Sequence, residues 1–432
     1  MLRYVLLAVL GLPILALALV GFRYLTRGTP VRAVRTLGTR GGDVPAAREP
    51  MFRYTMELHS RVSLREGHQI EVLTSGDKTY PCLYDDMRAA KQSLTLQMYY
   101  CQPGRVADEF QRILIDRARA GVRVLFLHDA FGSAPLPDEY FDPMRAAGVQ
   151  IAVFRPVNWY SLEKAYNRSH IRVVVVDGVI GYTGGFGMDD KWLGDGRHDD
   201  QWRDTNVRFT GPATLDHQAT FAAGWAEATG ELLTGELFFP VEKHLRATGG
   251  QLAAVLHSAP SVGSSVAERF LALSITGARQ SLYVTNAYFV PNDDFTDMLA
   301  DAARRGVDVR VLTAGQHNDV MCTWYAGRAK FEVLLTAGVR IYEYQPTMIH
   351  AKTLVVDGVW SSVGTMNFDN RSMSFNDETN LVSADEALGR RMTEVFLEDL
   401  NFAREISLEE FRRRPVTAKL LERGAGLVSR VL

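Results

Sequence analysis

Two histidines, each followed at fixed spacing by a cation and an aspartate, are the positions in this chain best suited to chemistry. They stand as His170, Arg172 and Asp177, then as His350, Lys352 and Asp357. Each set runs on into glycines, Gly184-Gly185-Phe186-Gly187 in the first and Gly364-Thr365-Met366-Asn367 in the second, and every aligned position is displaced by 180 residues. One histidine beside a cation is usually an ordinary core or surface residue. Two copies in register are a duplicated unit, and duplication of a reactive histidine implies that the two meet in one site. A neutral imidazole can attack phosphorus while a second, protonated one donates to the departing alkoxide. A reference pKa of about 6.5 gives access to both states around neutrality. Arg172 and Lys352 would hold the non-bridging phosphate oxygens and the charge that develops on them. Zinc takes three or four ligands, and neighbouring cations oppose it. The chemistry indicated is therefore two-step phosphodiester exchange through a phosphohistidine, with no metal and no other cofactor.

The elements that must position these groups follow from the flanking residues. Residues i and i+2 of a strand share a face, so each histidine and its cation project together. Val173 to Val176 and Thr353 to Val356 are β-branched or apolar and suit buried strands. Asp177-Gly178 and Asp357-Gly358 then read as two-residue hairpin turns, because Asp-Gly tolerates positive φ. At the turn, a structural role for Asp177 and Asp357 is favoured over proton transfer. Further repeats frame the motifs: Ala90-Lys-Gln-Ser-Leu94 recurs as Ala278-Arg-Gln-Ser-Leu282, Gly121-Val-Arg-Val as Gly306-Val-Asp-Val, and Ala147-Gly-Val as Ala337-Gly-Val. The order is strand, helix, strand, helix, strand, motif hairpin and helix, which predicts α/β lobes with mixed sheets flanked by helices. The boundary is expected near Gly249-Gly250, where small and polar residues interrupt the pattern. Trp159 to Asn167 and Asp189 to Asp200 are extra material near the first motif, either a lid or substrate wall or simply long exposed loops.

With these residues in view, the chain resembles the phospholipase D superfamily, whose paired H-x-K-x4-D motifs stand here as His170/Arg172/Asp177 and His350/Lys352/Asp357. Within it, Val363-Gly-Thr-Met-Asn-Phe-Asp-Asn-Arg-Ser372 and Trp202-Arg-Asp-Thr205 are similar to bacterial cardiolipin synthases, over roughly residues 51 to 432. The resemblance implies two pseudo-symmetric phospholipase D-type lobes. It implies His170 as nucleophile and His350 as general acid and later base. Asn367 would bind a phosphate oxygen, Glu378 would orient His350, and Asp204 would be the counterpart of His170. Asp177 and Asp357 would stabilise the motif loops. The first half departs from the pattern twice: Arg172 replaces Lys, and Gly187 stands where Asn is expected. Arg keeps the charge but is a longer, planar fork, and Gly187 removes a donor. Either Arg172 covers both contacts or the first half is partly degenerate. A nucleotide-binding role for the glycines of 184–187 is disfavoured, because they end a hairpin and do not open a helix.

Length and composition fit a large globular enzyme: 432 residues, 47% hydrophobic, enough for two domain-sized cores. Lys and Arg number 48 against 50 acids, for a net charge of −2, which disfavours a non-specific nuclease and a nucleic-acid partner. Cys82, Cys101 and Cys322, odd in number and unspaced for a metal, read as reduced thiols. Tyr4 to Phe22 is an uncharged run of 19 residues, long enough to span a hydrocarbon core. Arg23, Arg27, Arg32, Arg35 and Arg40 follow it, so an anchor would keep the body cytoplasmic, at the inner leaflet of a bacterial cell membrane. The rival is a cleaved signal peptide ending near Ala16-Leu-Ala18, which would export the protein. The predicted organisation is an N-terminal transmembrane anchor at 1–23, a linker at 24–50, a first lobe at 51–248 and a second at 249–432. The basic tail from Asn401 is either a membrane-surface helix or the charged face of an ordinary terminal helix. The function that follows is membrane-bound phosphatidyl transfer between phospholipids, with phosphatidylglycerol as acceptor. The alternatives are hydrolysis of phospholipid or nucleic acid, and a lipid-binding scaffold with weakened catalysis.

Overall fold

A computed structural model describes residues 11–19, 21, 31–35, 44–156, 167–245, 249–260 and 264–429. The first half carries β1 (Arg65–Thr74), β2 (Ser93–Met98), β3 (Arg123–Asp129), β4 (Gln150–Phe154), β5 (Val173–Val176), β6 (Ile180–Gly184) and β7 (Thr205–Thr210). The second carries β8 (Gln251–Ser258), β9 (Ser281–Asn286), β10 (Asp308–Ala314), β11 (Arg340–Tyr344), β12 (Lys352–Val356), β13 (Trp360–Gly364), β14 (Glu378–Ala384) and β15 (Ala403–Glu405). Among the described residues these form one mixed sheet in the order β15-β11-β10-β9-β12-β13-β14-β8-β1-β7-β6-β5-β2-β3-β4. Read outward from the β8–β1 seam, the order repeats, so each half reproduces the other.

The expected elements lie where the repeats put them. The helices Ser75–Ala89 and Val266–Gly277 run into β2 and β9 at the repeated Ala-x-Gln-Ser-Leu segments, and the other repeats open β3, β10, β4 and β11. Two features differ from the expectation. The lobes do not carry separate sheets: β1 and β8 join them through antiparallel pairs at Arg65 with Ala253 and His68 with Gln251. An apolar cluster straddles that seam, with Val207 and Phe209 on one side and Val255, Val363 and Leu381 on the other. In addition, β7 and β14 follow the motif hairpins, each antiparallel to the hairpin's second strand. The glycine-rich segments before them hid these strands from the pattern.

The motif hairpins form as expected, with one change of length. Asp177 and Gly178 have φ of 52° and 66°, and Asp357 and Gly358 of 51° and 64°, the left-handed region that Asp and Gly tolerate. Val176 pairs with Ile180, and Val356 with Trp360, so three residues rather than two bridge the paired positions. The extra residue is Val179 or Val359, whose N–H donates back to Val176 or Val356.

The helix Pro50–Ser60 precedes the first half in sequence but packs on the second. Phe52 and Met56 enter the apolar cluster that contains Phe270 and Trp360, and the Phe52 and Trp360 rings meet edge-on at 5.5 Å. At the other end, the helix Val416–Val428 lies on the helix Met321–Ala337. Several cations of the basic tail are engaged within the protein: Arg412 with Glu332, Arg413 with Glu409, and Arg414 with Glu422. Among the described residues no helix is long and apolar enough to cross a membrane. Residues 11–19 and 21 are helical; the rest of the Tyr4–Phe22 run lies outside the described residues, as does Trp159–Tyr166.

Candidate active site

Each histidine sits just before its hairpin, where the segment leaves the sheet and crosses to the other half. Ser169 forms a parallel bridge with Asp377, and Ile349 one with Arg203. The His170 N–H donates to the Asp377 carbonyl at 2.9 Å, and the His350 N–H to the Arg203 carbonyl at 2.7 Å. The next residue on each accepting segment is a carboxylate. His170 Nδ1 therefore lies 3.0 Å from Glu378 Oε2, and His350 Nδ1 3.0 Å from Asp204 Oδ2. This corrects the pairing that the resemblance implied, in which Glu378 served His350 and Asp204 served His170. The carboxylates are exchanged because each histidine segment pairs with the strand entry of the opposite half. Two ion pairs lock the exchange: Arg203 to Asp399 at 2.8 Å and Arg155 to Asp377 at 2.6 Å. Each joins one half to the other beside an orienting carboxylate.

His170 and His350 line one cleft of about 340 Å³, together with Arg172, Asn367 and several aromatic rings. Both histidines use Nδ1 on a carboxylate, which leaves Nε2 of each for chemistry. Arg172 is fully buried; its Nε donates to the Phe186 carbonyl at 3.0 Å and its Nη1 to the His170 carbonyl at 2.9 Å. Lys352 is buried, donates to the His350 carbonyl and lies beside Asn367. The cations thus bind the backbones of their own histidines as well as charging the site. Asn367 Oδ1 is buried without a partner, a polar atom of the kind an incoming ligand or water would satisfy.

The aspartates of the motifs stay away from the cleft. Asp177 Oδ1 accepts the N–H groups of Lys91, Gln92 and Ser93, and Asp357 Oδ1 those of Arg279, Gln280 and Ser281. Each staples the motif turn to the start of β2 or β9. The repeated Gln-Ser segments are the places where those staples attach.

Residues 271–400 match the family model described as cardiolipin synthase, PLD-like domain. The cardiolipin synthase of Geobacillus kaustophilus is 34% identical over 393 residues, covering 88% of this chain and 78% of its own length. The chain belongs to the cardiolipin synthase family. A cardiolipin synthase of Alkalihalophilus pseudofirmus is 32% identical over 366 residues, covering 84% and 72%. A phosphatidylserine synthase of Haemophilus influenzae shares the fold, with a TM-score of 0.68 over 88% of this chain and 100% of its own, at 14% identity.

Electrostatically, this family member's two histidine–carboxylate pairs are unequal. Burial pushes Glu378 up to about 8, against bonds from Thr365, Ser372 and Asn376 that favour its ionised form. Burial also opposes charge on Asp204, but the hydrogen bond from His350, with the Lys352 charge and the Trp192 hydrogen bond, outweighs it and holds Asp204 below the usual range. Burial and then the charges of Arg172 and Lys352 push His170 well below 6.5. Burial and Lys352 take His350 down to about 3, opposed by Asp204. Burial lowers Lys352 to about 7, with Asp204 opposing and Arg172 assisting. Both imidazoles are therefore neutral at pH 7. An anionic phosphodiester between them would raise their proton affinity, most effectively at His350, whose partner is ionised.

Sequence reasoning did not assign several cleft residues. Tyr99 packs edge-on against His170 at 5.2 Å, and Trp192 and Trp202 lie 5.2 and 5.1 Å from His350. Arg371 adds a cation, and Asp369 caps the short helix Asn370–Ser374 through the Ser372 N–H at 2.7 Å. Asp369, Asn370 and Arg371 stood inside a quoted motif, and Trp202 beside Asp204, so proximity was the available signal. Trp192 lies in the 189–200 segment and lines the cleft, whereas residues 197–200 are exposed.

Proposed function

We propose that this protein is a membrane-bound phosphatidyltransferase that makes cardiolipin from phospholipids, phosphatidylglycerol being the acceptor. The observation that carries the reading is the single cleft lined by two imidazoles, each held through Nδ1 by the opposite half's carboxylate. His170 Nε2 attacks the phosphorus of a donor phospholipid, the bond to the head-group alcohol breaks, and His350 supplies the proton that alcohol needs. The acceptor hydroxyl then gives its proton to His350 and attacks the phosphohistidine, releasing His170. A Glu378 pushed up to about 8 favours an uncharged, nucleophilic His170. An ionised Asp204 supports His350 when it carries the proton. Arg172 charges the phosphate site from the cleft wall and Lys352 from beside Asn367, while the Asn367 amide binds a phosphate oxygen.

The uncharged run Tyr4–Phe22 and the arginines after it support an N-terminal anchor with the catalytic body at the cytoplasmic face of a bacterial inner membrane. The halves fall at 51–248 and 249–432, with the helix Pro50–Ser60 contributing to the second. The test is mass spectrometry of membrane lipids from a host without its own synthase, expressing wild type or His170→Ala. New cardiolipin with wild type alone is expected. Phosphatidic acid in its place, unaffected by excess phosphatidylglycerol, would convert the reading to hydrolysis.

A further inference from the structure

The two carboxylates that hold the histidines are themselves held by different donors. In the second half the Thr365 hydroxyl donates to Glu378 Oε2. The aligned residue of the first half is Gly185, where a Cβ would stand 2.4 Å from Asp204 Oδ2. No side chain fits there, so the donor must come from elsewhere. It is Trp192, whose Nε1–H donates to Asp204 Oδ2 at 2.8 Å, the same oxygen that lies 3.0 Å from His350 Nδ1.

The same indole also accounts for the missing asparagine. A Cβ on Gly187, the counterpart of Asn367, would stand 2.8 Å from Trp192 Cζ3 and 2.9 Å from Cη2. The ring fills the space an asparagine side chain would need. It is 1% exposed and meets the His350 ring edge-on at 5.2 Å. Trp192 reaches this place because the first half is longer here: 20 positions separate Gly184 from Asp204, against 14 from Gly364 to Glu378. Gly185, Gly187 and Trp192 therefore form one set, each glycine making room for part of the indole–carboxylate contact.

We propose that Trp192 is a positioning residue that makes the duplicated site one-sided. By fixing Asp204 against His350 and occupying the Asn367-equivalent space, it commits the His350–Asp204 pair to proton handling. Phosphate is then bound from the second-half side, through Asn367 and Lys352, with Arg172 as the first-half contribution. This inference deepens the phosphatidyl-transfer reading and rests on it for its catalytic sense.

The test uses the full chain in phosphatidylglycerol vesicles. Trp192→Phe keeps the bulk of the ring and removes the N–H. Loss of a hydrogen bond to a charged group should lower kcat about ten- to a hundredfold, with KM changed by no more than about twofold. Losing that donor makes Asp204 a stronger partner for a protonated His350, so the His350 titration, followed by NMR of labelled histidine, should move up by about half a pH unit. A role in packing alone would leave both readouts at wild-type values, and that result would overturn the inference. The titration does not depend on which lipid is turned over. Absence of cardiolipin from wild type would therefore sink the functional reading, while an unmoved titration sinks this one. If Trp192→Phe does not fold, Gly187→Ala, whose Cβ crowds the indole, should give the same kcat loss and titration shift; wild-type behaviour there would equally overturn it.

Discussion

Asp204→Asn should separate the two chemical steps. The carboxylate it replaces accepts from three fixed or oriented groups: His350 Nδ1 at 3.0 Å, Trp192 Nε1 at 2.8 Å and the Thr205 N–H at 2.8 Å. An amide has one accepting oxygen, so its nitrogen must confront either the Thr205 N–H or the indole and imidazole. If it faces His350, the ring must accept at Nδ1 and carry its proton on Nε2, the reverse of the tautomer that Asp204 selects. Loss of a charge-assisted hydrogen bond alone is worth about 1.5–3 kcal/mol, roughly ten- to 150-fold in rate. Reversal of the tautomer in the comparable Asp→Asn change of a Ser-His-Asp triad costs about 10⁴. The expected fall in kcat for cardiolipin formation is thus about 10²- to 10⁴-fold. The decisive comparison is a p-nitrophenyl phosphodiester, whose departing phenolate needs no proton. On that substrate Asp204→Asn should release p-nitrophenol in a burst within about tenfold of wild type, because His170 keeps its own carboxylate, Glu378. His170→Ala should show no burst. Equal losses on both substrates, or a loss below about threefold on phosphatidylglycerol, would refute the assignment of His350 and Asp204 to proton transfer.

Three further outcomes are expected. Lys352, lowered by burial to about 7, is charged below that pH and loses its charge above it, so KM for an anionic phospholipid should rise from pH 7 to 9; a flat profile would contradict the buried ammonium's part in binding. Glu378 is pushed by burial from 4.5 to about 8, so between those values the folded chain holds a proton that the unfolded chain lacks, and stability falls as pH rises through that window. Glu378→Gln should therefore melt above wild type at pH 8, with the gap closing near pH 5, while losing transferase activity; thermal unfolding at the two pH values checks it. Arg172→Lys replaces a fork that reaches the Phe186 and His170 carbonyls with a single ammonium, and should cost about 1–2 kcal/mol of stability in denaturant unfolding; a variant as stable as wild type would show that the second bond contributes nothing.

The duplicated motif made much of this molecule legible before any coordinates. Val173–Val176 is a strand at the stated bounds, and Asp177 and Asp357 are turn staples because Asp-Gly has few other uses between two β-branched runs. The sharing of a cleft by His170 and His350 followed from the repeat alone. What could not be read was which carboxylate meets which histidine. The resemblance implied Glu378 for His350 and Asp204 for His170, whereas a backbone bridge of one residue pair, Ser169 with Asp377 or Ile349 with Arg203, reverses both. Such a bridge has no hydrophobic period to announce it. Trp192 was hidden for a related reason: an indole in a glycine-rich loop looks like surface until the glycines opposite are seen to be its socket.

The crossed carboxylates have a consequence for how such a molecule can diverge. Neither half holds a working histidine by itself, since each borrows its orienting acid from the other, so no single half could be trimmed away and leave a reduced catalyst behind. Two identical chains assembled in the same way would have to change both copies at every step. Joined in one polypeptide, the copies are free to differ, and here the first carries Arg172 and Gly187, with Trp192 in its longer loop, where the second carries Lys352 and Asn367.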